Sequence, residues 1–319
     1  MYGEATVDPE FDAYGRQWFA GDCPEAFEID LAHGAVDAIE RLLAANLVAG
    51  DKVAVENPCF LGSISTLRVG GLEAVGVPVD SEGMRIESLE EALSAGGAQA
   101  VILTPRAHNP TGCSLSPWRA EALRRVLARH PHVLVIVDDH FALLSEAPYH
   151  SVIPAKAQRW ALVRSVSKVL GPDLRLAFVA SDRPTSLRLR LRLASGTTWV
   201  SHLLQDIVGV CLTCELLSSR VAQARQDYSR RRAWLAAALA DQKIPVATPA
   251  DGLNLWVPLR QDSQPVVFAL AKHGWLVRSG EAFSVRKVIP GLRITISNLG
   301  EVDSRRLAQD IRHSLLDPD

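Results

Sequence analysis

Residues 160–177 read WALVRSVSKVLGPDLRLA, and the way this stretch is built sets the fold. Trp160 to Ser165 is a short apolar run of the length expected for a strand buried on both faces, and Leu176–Ala180 reads as another. Between them stand two hydroxyls (Ser165 and Ser167), one amine (Lys168), the pair Gly171-Pro172 and one guanidinium (Arg175). They fall at a strand end, which is where open α/β sheets bind their ligands. An amine there can condense with a carbonyl compound, and Ser165, Ser167 and Arg175 offer donors suited to a phosphate. Taken alone, a Ser-x-Ser-Lys run is a solvated loop, so its meaning rests on its neighbours.

Outward from this stretch, short β-rich runs alternate with amphipathic helical segments between residues 28 and 180, the pattern of a mostly parallel sheet flanked by helices. The strand candidates are Glu28–Leu31, Val53–Glu56, Leu72–Val79, Ala100–Thr104, Val133–Asp138, Trp160–Ser165 and Leu176–Ala180, with helices at 35–48, 60–69, 87–95 and 116–130. Ser116-Pro117 marks the start of the last helix, as an N-cap followed by proline at the first helical position. From about 184 to 243 long helices follow one another. Residues 187–193, LRLRLRL, alternate strictly, yet leucine and arginine are strong helix formers and their surroundings are helical, so a helix is expected there. Strands are expected again at Leu253–Pro258, Trp275–Arg278 and Leu292–Ser297, closed by a helix from 301. The pattern implies an α/β domain over 1–240 and a smaller α+β domain over 241–319.

Composition narrows the function. The chain has 319 residues, enough for about two domains, with 48% hydrophobic and 22% charged residues, the balance of a globular protein. Its net charge of −2 argues against nucleic-acid binding through overall charge. Cys23, Cys59, Cys113, Cys211 and Cys214 form no regular disulfide framework, the start has no signal-peptide pattern, and no apolar run is long enough to cross a bilayer. A cytoplasmic protein is expected. Cys211 and Cys214 have the spacing of half a zinc site, but without a second pair no metal is expected. The Arg188/Arg190/Arg192 and Arg230-Arg231-Arg232 groups read as solvated helix faces.

Two more strand ends carry chemistry. Residues 109–112, NPTG, follow the strand ending at Thr104, and Asp138-Asp139-His140 ends the strand VIVDDH. Separately these are a turn and a helix cap or loop acid. In this order the three motifs resemble the class I/II aminotransferase family, pyridoxal 5′-phosphate (PLP) enzymes of fold type I, over nearly the whole chain. The resemblance implies that Lys168 holds PLP as a Schiff base, that Asp138 faces the pyridine nitrogen and keeps it protonated, and that Asn109 donates to the phenolic oxygen. Partial burial and a neighbouring cation would help Lys168 lose its proton. Gly34-Ala35 would offer backbone N–H groups and a helix N-terminus to the phosphate. Phe60 matches the aromatic residue against the ring, Arg293 the arginine that grips a substrate carboxylate, and Tyr2 the tyrosine that in the family's dimers reaches the neighbouring subunit's phosphate. A homodimer is therefore implied. His140 departs from the family, standing near where many relatives carry a tyrosine.

The stretches DAIERLL (37–43), NPCFL (57–61), VILTPRAHNPTGCSL (101–115), DDHFALL (138–144), RSVSKVLGPDLRLA (164–177) and WVSHLLQD (199–206) are more specific. They are similar to the effector domains of MocR-type regulators of the GntR family that govern vitamin B6 metabolism. In such regulators a winged helix-turn-helix module precedes an aminotransferase-like domain that senses PLP or a related ligand. The resemblance implies a PLP-binding sensor whose DNA contact comes only through such a module, absent from this chain. The alternative it leaves open is a working aminotransferase that passes an amino group between an amino acid and a 2-oxo acid.

Overall fold

The computed structural model describes residues 5–316. A helix not expected from the sequence, α1 (Pro9–Phe19), comes first, capped by the Asp8 side chain, which accepts from the backbone N–H of Glu10 and Phe11. An eight-stranded sheet follows, made of β1 (Glu28–Ala32), β2 (Lys52–Asn57), β3 (Glu73–Asp80), β4 (Gly83–Met84), β5 (Ala100–Leu103), β6 (Leu134–Asp138), β7 (Trp160–Ser165) and β8 (Ala177–Ser181), in the order β1-β8-β7-β6-β5-β2-β3-β4. β3, β2, β5, β6 and β7 pair in parallel through neighbouring ladders. β8 runs antiparallel to both β7 and β1. The link from Ser165 to Ala177 is too short for a helical crossover, so the chain turns straight back.

Alternation along the central strands sorts the side chains into two cores. Val135 and Val137 pack on one face of the sheet and Leu134 and Ile136 on the other. The second face is covered by α2 (Ala35–Asn46), α3 (Leu61–Val69) and α7 (Arg183–Ala194), and the first by α4 (Ile86–Leu93), α5 (Pro117–Ala128) and α1. The leucine-arginine repeat is indeed helical, in α7. Leu189 and Leu193, four apart, are buried, while Leu187 and Leu191 stand 59% and 65% exposed. Helical propensity prevails over the period-two pattern because only one helix stripe has a sheet to cover.

α8 (His202–Thr213) and the long α9 (Glu215–Asp241) lead into a three-stranded antiparallel sheet, β10-β11-β9, of β9 (Asn254–Pro258), β10 (Arg278–Ser279) and β11 (Gly291–Thr295). It packs with the end of α9, α10 (Gln264–Lys272) and α11 (Glu301–Leu316) around its own core. The strand expected at Trp275–Arg278 is shorter and later: pairing begins only at Arg278 opposite Arg293. Trp275 instead ends the α10 turn, its N–H bonded to Leu270 O, and its indole N–H donates to Asp310 of α11 at 2.6 Å. No single helix among the described residues is long and apolar enough to cross a membrane.

Candidate functional site

β1, β2, β5, β6 and β7 end at the same sheet edge, and the loops leaving them surround one cleft. Its lining is Ala35 and Val36 from the start of α2, Phe60 after β2, Asn109 after β5, Asp138 and His140 from β6, and Ser165, Ser167, Lys168, Pro172 and Arg175 after β7. The structure thus brings together residues from five separate strand ends that the sequence singled out. Gly34 lies immediately beside it. Tyr2 lies outside the described residues. Val36 and Pro172 add apolar surface that carries no chemical signal in the sequence.

One end of the cleft is cationic and rich in donors. Ser165 Oγ accepts from the Ser167 N–H at 3.3 Å, which sets the turn into the short helix α6 (Ser167–Leu170) carrying Lys168. Lys168 is exposed to the cleft rather than half-buried as expected. Gly34 caps α2 with φ +94°, and a Cβ there would come within 2.5 Å of the Arg175 guanidinium. Only glycine lets that guanidinium close over the α2 N-terminus, where its Nη2 donates to His33 O at 3.4 Å. A helix N-terminus, an arginine and two hydroxyls are a donor set able to take a phosphate.

The other end is buried and short of partners. Asp138 Oδ1, Asn109 Oδ1 and His140 Nδ1 are all buried side-chain atoms without a hydrogen-bond partner. These three atoms are free to accept or donate bonds within one cleft. Burial raises the Asp138 carboxyl above the ordinary carboxylate value; the charges of Asp139 and Glu56 add to this, and those of His140 and Lys168 oppose it. His140 Nδ1 lies 3.7 Å from Asp138 Oδ2.

Behind these residues lie two charged clusters that the sequence reading did not single out. His108 is fully buried, its Nε2 3.3 Å from Glu56 Oε2 and its Nδ1 2.7 Å from Thr111 Oγ1, so it ties the Asn109 loop to the end of β2. Burial opposes a charge on His108, yet Glu56 carries its pKa up to about 10. Asp139, with none of its surface exposed, accepts two bonds from Arg106, at 2.7 and 2.8 Å, and one from Arg164 Nε at 2.9 Å. Arg164 also donates to Trp18 O and Asp22 at the end of α1. Successive strand residues point to opposite faces, so as Asp139 is locked into this network, Asp138 is left to the cleft.

The chain around the three-stranded sheet is fastened to the same loops. Asp251 N–H donates to Gly112 O at 2.8 Å, and the Asp251 carboxylate accepts from the N–H groups of Glu146 and Ala147, both at 3.2 Å. Cys59 N–H donates to Phe283 O at 2.7 Å. Arg293 is half-buried over the Phe283 ring at 5.3 Å, outside the cleft lining, and its Nε has no partner.

A sheet with this order, with a lysine, an acid and a set of anion-suited donors at one edge, is the arrangement of a PLP-dependent aminotransferase fold. Residues 25–311 match the aminotransferase class I and II family, and the chain belongs to it. It is 56% identical over 315 residues to the vitamin B6 salvage pathway transcriptional repressor PtsJ of Salmonella typhimurium, matching 99% of this chain and 73% of that protein. It is 28% identical to the HTH-type transcriptional regulator YjiR of Escherichia coli, over 83% of this chain and 58% of that one. Among solved structures, the kynurenine aminotransferase of Pyrococcus horikoshii superposes with a TM-score of 0.87 at 22% identity, covering 99% of this chain and 83% of that one.

Proposed function

We propose that this chain is the PLP-binding effector part of a MocR-type transcriptional regulator of vitamin B6 metabolism. The observation that carries the reading is the meeting, in one cleft, of Lys168 with a phosphate cradle and three buried polar atoms that lack partners. The likeness to PtsJ, far higher than to the transaminase structures, favours sensing over turnover. PLP, when bound, supplies an aldehyde able to condense with an amine and a ring nitrogen able to hold a proton. Lys168 is the amine that holds it, and Asp138 the carboxylate that keeps the ring proton in place. Asn109 and His140 contact the ring's oxygen side, and Phe60 covers the ring. Ser165, Ser167, Arg175 and the Gly34-Ala35 backbone bind the phosphate. The protein works as a homodimer. The parts 1–240 and 241–319 close on the ligand, and DNA is reached in the cytoplasm only through a helix-turn-helix module. Ligand acts by binding one of two conformations more tightly.

The second reading, an aminotransferase, is favoured by Arg293, whose Nε has no partner and suits an amino-acid carboxylate. PLP-loaded protein challenged with amino acids and 2-oxo acids separates the two. A sensor retains its bound chromophore without multiple turnover. Repeated release of 2-oxo acid at useful rates would replace the sensor with the enzyme.

A further inference from the structure

Hydrogen-bond direction fixes the protonation of the buried His108 ring. The Thr111 hydroxyl has one hydrogen, which goes to Cys113 Sγ at 3.1 Å, while the Cys113 N–H donates to the same oxygen at 3.3 Å. Towards His108 Nδ1, 2.7 Å away, Thr111 Oγ1 can only accept, so Nδ1 carries a proton. On the other side of the ring, Glu56 Oε2 stands 3.3 Å from Nε2. A bare lone pair there would be repelled by the carboxylate, so Nε2 carries a proton too. The ring is then an imidazolium, paired with a carboxylate that also accepts the Thr104 N–H at 3.1 Å. Together they join the ends of β2 and β5.

This pair touches the cleft at two points. His108 precedes Asn109, and its N–H and carbonyl bond Cys113 O at 2.9 Å and the Gly112 N–H at 2.6 Å, which closes the Asn109 loop on itself. Glu56 also reaches Asp138, where burial raises the carboxyl and the charges of Asp139 and Glu56 add to it, against those of His140 and Lys168. At His108 burial opposes the charge, and Glu56 and Cys113 favour it. Without a counter-charge, Glu56 would hold Asp138 in its protonated form to higher pH. We propose that His108 is a positioning residue of the PLP site, a buried cation that holds the Asn109 loop in place and cancels the Glu56 charge, so that Asp138 can ionise against the ring nitrogen. This role rests on the reading of the Lys168 cleft as the PLP site.

The test is absorbance titration of the whole protein with PLP from acid to mildly alkaline pH, for the wild type, His108→Gln, Glu56→Gln and the double variant. Affinity falls in acid as Asp138 takes up a proton. His108→Gln should move that fall to higher pH by about one unit, a loss of about tenfold on the acid side, because glutamine can donate to Glu56 without cancelling its charge. Glu56→Gln should leave the fall in place or move it to lower pH, and the double variant should bind within about threefold of the wild type. Lost packing alone would weaken the double variant at least as much as either single one. Nitrogen NMR of the PLP-free protein reads the charge itself: one histidine, missing from His108→Gln, should stay doubly protonated well above neutral pH. The role is overturned by a His108 ring that is neutral at neutral pH, by an acid fall that His108→Gln does not move, or by a double variant no tighter than His108→Gln. If the uncompensated Glu56 keeps His108→Gln from folding, the NMR signal and the double variant decide, and a double variant more than about tenfold weaker than the wild type overturns the role. A wild type that binds no PLP sinks the PLP reading and this role with it, whereas a wild type that binds, with variants that follow its profile, sinks the role alone.

Discussion

Asp138→Asn is expected to weaken PLP binding by ~30- to ~1,000-fold and, in the same protein without PLP, to raise the melting temperature at neutral pH. The first effect follows from the loss of a buried charge pair with the ring nitrogen, a contact of about 2–4 kcal/mol when desolvated. The second follows from the free state. Asp138 Oδ1 is buried with no partner, and burial raises the carboxyl's folded pKa above its unfolded value. A carboxyl raised in this direction contributes its stability below the unfolded pKa and loses it as pH rises through the folded one. At neutral pH, above the unfolded value, the PLP-free protein therefore carries the cost of that upward shift. Asparagine removes the cost, and the gain in melting temperature should vanish in acid, where the carboxyl is protonated in both states. Equal PLP affinity in the variant would show that Asp138 does not face the ring nitrogen.

Arg164→Ala should be the most destabilising single change near the site, costing about 3–5 kcal/mol, the usual result of stripping one partner from a buried ion pair. Asp139 would keep only Arg106, while the backbone carbonyl of Trp18 and the Asp22 carboxylate at the end of α1 would lose their donor. Burial works against the Arg164 charge, yet Asp139 and Asp22 hold its pKa above the ordinary value. Its guanidinium also lies 4.8 Å from the Phe19 ring and 5.1 Å from Tyr149. Urea denaturation measures the loss, with Arg305→Ala as the reference. Arg305 is 70% exposed beside Glu301 and should cost no more than about 0.5 kcal/mol. A similar midpoint shift in the two variants would mean that the buried network does not hold α1 to the sheet.

The parts of the site that read clearly from sequence are those where chemistry and punctuation coincide. Asp138 ends a buried apolar strand and Asn109 and Lys168 each follow one, and residue type together with strand end is a local signal. Helix α7 was legible because propensity is local too. Helix α1 was not, because what fixes it lies far along the chain: Phe11, Tyr14 and Trp18 pack on Phe178 of β8, with Phe11 and Phe178 centroids 4.5 Å apart. The reversal of β8 had a signal in the short link after Ser165, outweighed by the parallel pattern around it. The Asp139 network could have been found from the Asp138-Asp139 pair, since two acids in succession at a strand end must face opposite sides. Its partners, Arg106 in the loop after β5 and Arg164 in β7, cannot be paired with it by spacing alone. Trp275 was misassigned because an apolar run after a helix looks the same whether it meets a strand or, as here, α11.

The most direct test of the account is reduction of the PLP-loaded protein with borohydride, followed by peptide mass analysis. The account predicts one stable phosphopyridoxyl adduct per chain, on Lys168, and none on a Lys168→Ala variant prepared in the same way. A wild-type chain in which Lys168 stays unlabelled, or in which label spreads over Lys156, Lys243 and the other exposed lysines, would contradict it.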